Sequence, residues 1–457
     1  METSTLQHKT RLERKLDFLY FSIACTCLLF LSSTYASSPL GLFFLFLSVV
    51  VSYANQKTSL IILFGGTMLS YVYAVPITAG FAILLLFLPL TLPLIFRSIR
   101  EMPFVFVALV ALTFMMCAVS YSFHRSLDVV FLCFGLLAML QVYSLIKFTR
   151  TSSSELFELF GIAFFTTLAI PLLSNVFLNI DSPFFYERHL WQLKNIRYTV
   201  GTLEPNIVAA WMACAFAIVV FSAKFKNKSW LYRIVYILIA SLLLYGTNSV
   251  GSRTAFVAVA IVIVLSLAFS FLFYHREKIK SICVKSVGIM TAGIIVAGFA
   301  WVAISLITFE TLPISLERIL KTSTIEETGR PYSLRLAENT LDKIPLAGVH
   351  SRDYILHSAP LSPHNSFAAS LLYLGLLVCI PYFLLLSIPV CDLLTRFRLS
   401  TDWRWGFVIA FFIFITLTIP MTSNRTLFVV LGAWFAYSNF PPLKQASRLP
   451  AVSSVSS

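Results

Sequence analysis

The sequence predicts an all-α fold, a polytopic bundle of about 12–14 transmembrane helices with one large, partly helical loop outside the membrane. Three observations lead to this prediction. Hydrophobic residues make up 58% of the chain and charged residues only 12%, against roughly 25% charged in an ordinary soluble domain. Apolar runs long enough to cross a bilayer recur along the chain. The longest polar interruption lies in the C-terminal third.

The apolar runs define the elements in order, and most connections between them are short, as in a compact helical bundle. Drawn at the length of a membrane span, the runs lie at 17–34, 38–54, 58–75, 77–96, 103–120, 128–146, 156–178, 206–222, 230–247, 254–274, 286–308, 366–390, 405–421 and 426–438. Several of these runs are short or closely spaced, so the helix count is predicted only as a range.

The distribution of basic residues predicts the orientation of these spans. The first run follows Lys9, Arg11, Arg14 and Lys15 and lacks a convincing small-residue cleavage site, which indicates a retained helix rather than a removed signal peptide. The N-terminus is then cytoplasmic. Alternation from there puts 22 of the 34 Lys and Arg residues inside and 12 outside, the bias that the positive-inside rule expects. The C-terminus is also cytoplasmic.

Two connections on the outer side are long, at about 179–205 and 309–364. The second contains Leu334, Ala337, Leu341 and Ile344, whose spacing predicts one apolar face of a helix. The chain therefore divides into N-terminal transmembrane helices (1–308), an outer loop (309–364), C-terminal transmembrane helices (365–440) and a cytoplasmic tail (441–457).

Composition and charge placement weigh against several classes of function. The net charge of +14 is mostly a topology signal, and no basic soluble face suggests nucleic-acid binding. The eight cysteines lie within or at the ends of apolar runs, so there is no disulfide framework and no cysteine-based metal site. Ionisable residues are nearly absent from the span interiors, which weighs against ion-coupled transport.

The residues best suited to chemistry lie at the outer surface. His364 stands where the loop 309–364 meets the apolar run 366–390, Arg253 stands at the outer mouth of the run 254–274, and Arg330 stands within the loop. Each of these three residues also has a simpler interpretation without a role in chemistry. Arg253 can be an arginine that snorkels to membrane lipid headgroups, Arg330 a solvated loop residue, and His364 a helix-entry residue without a chemical task.

Four further residues are possible supporting members of this site, each with a simpler role. Arg335 precedes Glu338 by three residues, the spacing of an ion pair within a helix. Asn365 can cap the helix that follows, and Arg197 and Glu204 in the shorter outer loop suit a solvated surface. His350, His357 and His364 are seven residues apart, but no acidic ligands accompany them, so no metal site is expected.

The order and spacing of four short motifs resemble the O-antigen ligase and O-antigen polymerase superfamily of bacterial envelope glycan enzymes. The resemblance covers about residues 200–390, whereas the N-terminal half matches only in being hydrophobic. The motifs are Gly201-Thr202-Leu203-Glu204-Pro205-Asn206, Gly251-Ser252-Arg253, Gly329-Arg330 followed by Ile344-Pro345-Leu346-Ala347-Gly348, and Pro363-His364-Asn365-Ser366 followed by Leu371-Leu372-Tyr373-Leu374-Gly375-Leu376-Leu377.

The resemblance implies an inverting glycosyltransferase in the bacterial inner membrane, with the 309–364 loop in the periplasm. Its donor would be a glycan linked to undecaprenyl diphosphate, and its acceptor a sugar of lipid A-core or of a growing glycan. Arginine binds phosphate oxygens in a bidentate manner, so Arg253 and Arg330 would hold the diphosphate. His364 would be the general base. The donor is already activated, and no cofactor is expected.

Three other functions stay open on the sequence alone. An O-antigen ligase is the preferred interpretation. An O-antigen or exopolysaccharide polymerase would use the same residues and the same chemistry. A lipid or polysaccharide flippase would need a polar path through the bundle, and the spans contain none. A purely structural membrane protein would not need a long outer loop with a helical pattern and basic residues.

Overall fold

A computed structural model describes most of the predicted spans. The described residues are 17–29, 31–32, 39–69, 79–164, 186–189, 196–199, 205–222, 230–249, 256–257, 259–260, 263–264, 346–348, 366–396, 408 and 425–437. The predicted boundaries at 308, 364 and 440 lie outside these residues and stay predictions.

The described part of the chain is helical apart from one short hairpin, residues 346–348 and the turns between helices. In chain order its elements are α1 (Asp17–Leu29), α2 (Pro39–Ala54), α3 (Thr58–Leu69), α4 (Ala79–Leu86), α5 (Leu88–Ile99), α6 (Phe104–His124), α7 (Leu127–Thr149), α8 (Ser153–Phe164), β1 (Tyr186–His189), β2 (Ile196–Thr199), α9 (Pro205–Ser222), α10 (Trp230–Ser249), α11 (Ser366–Arg396) and α12 (Arg425–Tyr437).

Three of these helices are long and apolar enough to cross a membrane. The qualifying segments are Phe104–Phe123 in α6, Leu127–Thr149 in α7 and Ser370–Pro389 in α11, of 20, 23 and 20 residues. At 1.5 Å per residue, 20 residues span about 30 Å, the thickness of the hydrocarbon core. Large apolar side chains are exposed on α6, among them Phe104 and Phe123 at 68% and 70%. Exposed apolar surface of this kind is the type that lipid covers.

The described residues fall into two compact units, and the first contains α1 to α4, α8, the hairpin, α9 and α10. Its centre is apolar: residues 60–64 of α3 and 212–218 of α9 are completely buried. The Phe64 ring of α3 stacks on the Phe160 ring of α8, with centroids 3.6 Å apart. The helices α9 and α10 pack against each other. A helix buried on all sides is typical of the middle of a bundle.

The start of α8 is fixed by a capping box. The Ser152 hydroxyl accepts a hydrogen bond from the Glu155 amide at 3.3 Å, and the Glu155 carboxylate accepts one from the Ser152 amide at 2.9 Å, so both free amides are satisfied. Lys57 lies 3.4 Å from the same carboxylate. Burial acts to raise the pKa of Glu155, but these hydrogen bonds and the Lys57 charge together lower it.

The 179–205 connection contains an antiparallel hairpin of four-residue strands. Its register pairs Tyr186 with Thr199 and Arg188 with Arg197. The sequence did not predict strands here, because the segment mixes basic and aromatic residues without a clear period-two alternation. Within the described ranges this hairpin is the β-structure.

The second unit contains α5, α6, α7, residues 346–348, α11 and α12. Its tightest pair is α7 and α12, where a Cβ atom on Gly135 would meet the Phe428 ring at 2.5 Å and one on Gly432 would meet the Met139 carbonyl oxygen. Small residues let helices approach this closely within a membrane. Residues 427–431 of α12 are completely buried, while α6 packs on α11 and α5 on α7.

Two predicted spans are interrupted. The run 77–96 forms two helices, α4 and α5, rather than one, with the break at Phe87. Pro89 explains this break, because proline lacks an amide hydrogen and its ring disfavours helix in the residue before it. The run 366–390 continues to Arg396, but its backbone leaves helical geometry at Gly375, with φ of 75° and ψ of 169°.

Candidate functional site

Most of the predicted site residues lie outside the described part of the chain. They are His364, Asn365, Arg253, Arg330, Arg335 and Glu204. The backbone of Arg197 is described: it lies in β2, directly opposite Arg188 of β1. The roles assigned to these residues therefore stay predictions, and the structure bears on them through the helices that flank them.

Three helix ends mark where the predicted motifs join the fold. Pro205 is the first residue of α9, the position where proline is favoured because its missing amide hydrogen costs nothing there. Ser249 ends α10, four residues before Arg253. Ser366 begins α11, two residues after His364. Two of the motifs, those at 201–206 and 363–366, therefore contain the first residue of a described helix, whereas the helix predicted to begin after Arg253 starts outside the described residues.

The structure brings two of the sequence motifs into direct contact. Residues 346–348, from the Pro-Leu-Ala-Gly motif, lie against the break in α11 at Gly375. A Cβ atom on Gly348 would stand 2.5 Å from the Tyr373 carbonyl oxygen and 2.8 Å from the Gly375 nitrogen. We call this contact, formed by residues 346–348, Ser120, Gly375 and Leu377, the Gly375 junction.

Hydrogen bonds hold the junction from both sides. The Leu377 amide donates to the Leu346 carbonyl at 3.1 Å, and the Ser120 hydroxyl of α6 donates to the Ala347 carbonyl at 2.6 Å. Ser120 is completely buried and Ala347 is 8% exposed. An unsatisfied polar group in an apolar surrounding costs several kcal/mol. Residues 346–348 supply the carbonyl acceptors, and α11 and α6 supply the donors, so these groups are satisfied.

Both glycines at the junction have a backbone that only glycine adopts readily. Gly348 has φ of 88° and Gly375 has φ of 75°, in the region where a side chain clashes with its own backbone. A Cβ atom on Gly375 would also clash with the Gly348 nitrogen. Glycine is therefore required twice, for conformation and for contact.

The junction lies toward the opposite end of this unit from the C-termini of α5 and α7. The helix α6 starts at Phe104, shortly after α5 ends, and Ser120 is 16 residues further on, about 24 Å along the axis. The predicted topology requires this separation, since it places Arg97 and Lys147 on one side and the 309–364 loop on the other. Which end faces which side of a membrane stays a prediction.

The junction also fixes where the His364 segment begins and ends. Gly348 contacts Gly375, and Ser366 lies nine residues before Gly375 on the same helix, about 14 Å along its axis. The 17 residues 349–365 therefore connect two points held on one helix.

Ser120 was not singled out from the sequence. Its only signal is a hydroxyl in an apolar run, and Thr113 of the same helix carries the same signal but donates to its own Leu109 carbonyl at 2.7 Å. Gly375 was part of a recognised motif without an assigned role. Within the described ranges, no group of three or more His, Cys, Asp or Glu side chains is arranged to hold a metal ion.

No protein-family model matches this chain, and no curated protein sequence matches it at a significant level.

Proposed function

We propose that this protein is a polytopic membrane glycosyltransferase of about 12–14 helices, related to the O-antigen ligases and polymerases. It transfers a glycan from undecaprenyl diphosphate to an acceptor sugar at the periplasmic face of the bacterial inner membrane. Within that proposal we favour the ligase, with lipid A-core as acceptor, and keep the polymerase as the alternative with the same chemistry.

The Gly375 junction is the observation that carries the proposal. The motif resemblance rests on short elements that are well separated along the chain. The structure brings the Pro-Leu-Ala-Gly element onto the helix that the Pro-His-Asn-Ser element opens. The contact lies at Gly375, within the motif that follows Pro-His-Asn-Ser on the same helix, and a contact in space supports a shared site better than sequence order does.

In the proposed reaction the acceptor hydroxyl attacks the anomeric carbon of the donor glycan. His364 takes the hydroxyl proton as the new carbon–oxygen bond forms and the bond to the diphosphate oxygen breaks. Undecaprenyl diphosphate leaves with the electron pair, and Arg253 and Arg330 stabilise its negative charge. Direct displacement inverts the anomeric configuration. Arg197, Glu204, Arg335 and Asn365 are supporting residues in this scheme.

A flippase is the competing class. A flippase would carry the polar headgroup through the bundle, and the three described spanning segments contain few ionisable side chains. Lipid-linked intermediates from a deletion strain separate the alternatives. Long lipid-linked chains on the periplasmic side indicate a missing ligase, single repeat units there a missing polymerase, and units retained on the cytoplasmic side a missing flippase.

We expect the 309–364 loop to face the periplasm, because the basic residues divide 22 to 12 in favour of the other side. A cysteine introduced as Ser351→Cys, after the native cysteines are replaced, should react with a membrane-impermeant thiol reagent in cells whose outer membrane alone is permeable. The control is Asn227→Cys, because Asn227 lies in a predicted cytoplasmic connection and should stay unlabelled in the same cells.

Labelling of the Ser351→Cys variant only after the inner membrane is lysed would contradict this orientation. Labelling of Asn227→Cys in intact inner membranes, while a soluble cytoplasmic thiol stays unlabelled, would contradict the predicted alternation of sides.

We expect alanine at Arg253 or Arg330 to remove nearly all glycan transfer, while lysine retains part of it. Lysine keeps the positive charge but loses the planar pair of donors that fits a diphosphate. Transfer by purified protein from a lipid-linked donor is the measurement, at matched expression. Arg318→Ala is the control, because Arg318 lies in the same predicted loop as Arg330 but in none of the motifs. Full transfer by both alanine variants would refute the assignment.

A further inference from the structure

A second candidate site lies in the second unit, at the C-terminal ends of α5 and α7. These two helices run side by side in the same direction, because the Gln141 side-chain amide of α7 donates to the Thr91 hydroxyl of α5 at 3.0 Å and residues at both C-terminal ends line one cavity. Beyond this bond their ends enclose a cavity of about 440 Å³. Arg97 and Glu101 line it from the α5 side, and Lys147 and Arg150 from the α7 side.

The charges in this cavity do not cancel. Three cationic side chains face one carboxylate, and none of the three forms an ion pair within 4.0 Å with a carboxylate of the described residues. The Lys147 ammonium instead stands 5.7 Å from the centre of the Tyr143 ring. Helix C-termini carry partial negative charge, which offsets part of this excess. The excess that remains can attract an anion.

Apolar surface borders the cavity and indicates what kind of anion fits. Phe148 lines the cavity and is 46% exposed, and Phe96, next to Arg97, is 64% exposed. A free phosphate has no apolar surface to pack against exposed phenyl rings. A phospholipid has a phosphate for the cations and acyl chains for the apolar surface. Basic pockets between membrane helices recognise anionic headgroups in this way.

We propose that this cavity binds the headgroup of an anionic phospholipid of the surrounding membrane. Arg97, Lys147 and Arg150 contact the phosphate ester, and the acyl chains lie along the apolar side chains next to Phe96 and Phe148. The predicted topology puts this end on the cytoplasmic side. The site is separate from the proposed donor site, since the Gly375 junction lies toward the other end of α6.

The chain offers a matched pair of variants for the test. Arg150 and Arg125 are both exposed C-cap residues in the left-handed conformation, with φ of 51° and 48°. Asparagine tolerates this conformation better than most residues, so Arg→Asn removes the charge at either position without straining the backbone. Of the two, only Arg150 lines the cavity.

The measurement is binding of phosphatidylglycerol by the full-length protein in neutral detergent, followed by the rise in thermal unfolding midpoint as the lipid is added. Phosphatidylcholine and inorganic phosphate are tested in parallel. We expect phosphatidylglycerol, but neither phosphatidylcholine nor inorganic phosphate, to stabilise wild type and Arg125→Asn. Arg150→Asn should need a roughly fivefold higher phosphatidylglycerol concentration for the same rise in unfolding midpoint. Adding Arg97→Gln should weaken binding again by a similar factor.

Three results would overturn the proposal. Equal weakening in Arg125→Asn and Arg150→Asn would mean that lipid responds to overall charge rather than to the cavity. Stabilisation by inorganic phosphate to the same extent would assign the cavity to a soluble anion. An unchanged response in the Arg97→Gln and Arg150→Asn double variant would place lipid binding elsewhere.

Discussion

Alanine at Gly375 is expected to produce little stably folded protein. The observed φ of 75° with ψ of 169° costs a residue with a side chain about 1–3 kcal/mol. The added Cβ would also clash with the Gly348 backbone, which cannot withdraw without losing the hydrogen bond between Leu377 and Leu346. The yield of monodisperse protein in detergent and its thermal unfolding midpoint are the measurements.

The matched control for this variant is Gly161→Ala. Gly161 lies within α8, and a Cβ there would meet only a Val219 methyl carbon at 4.0 Å, an ordinary contact. Ser120→Ala probes the Gly375 junction more gently. It leaves the buried Ala347 carbonyl without its donor, at a cost of about 1–3 kcal/mol. Equal yields and midpoints for Gly375→Ala and Gly161→Ala would contradict the role given to the junction.

Glutamine at His364 is expected to reduce glycan transfer about 10²–10⁴-fold, the usual effect of losing a general base. Glutamine keeps a hydrogen-bonding side chain but cannot accept the proton of the acceptor hydroxyl. Folding should be preserved, because Ser366 begins α11 and His364 precedes it. Single-turnover transfer from a purified lipid-linked donor, with donor binding measured separately, distinguishes loss of chemistry from loss of binding.

His357→Gln is the control for this experiment, since His357 lies in the same 17-residue segment and outside the Pro-His-Asn-Ser motif. It should transfer glycan at nearly the wild-type rate. Near wild-type transfer by His364→Gln at neutral pH would make His364 a structural residue and leave the proton to another group.

Much of the helical framework could be predicted because apolar length is a local property of the sequence. The predicted runs 103–120, 128–146 and 426–438 correspond to α6, α7 and α12 with ends displaced by at most a few residues. The break at Phe87 has a local cause in Pro89, so it could be predicted from the sequence. The break at Gly375 has no such local cause, because a glycine in an apolar run is equally compatible with a continuous helix.

The candidate sites depended on contacts that a sequence does not reveal. Ser120 and Ala347 are 227 residues apart, and nothing in either local sequence indicates the other. Arg97 and Lys147 were predicted on the same side of a membrane, but their shared cavity follows from the parallel packing of α5 and α7. The motifs predict which segments bear the chemistry, and packing determines which segments meet.

During biosynthesis α7 is made well before α12, the helix that packs on it. About 280 residues separate the end of α7 from the start of α12, and translation at about 5–20 residues per second takes roughly 15–60 s to cover them. Throughout that interval the side of α7 around Gly135 lacks the Phe428 ring that later covers it. Ribosome stalling ahead of Arg425 would prolong the time for which this groove lacks the side chains of α12.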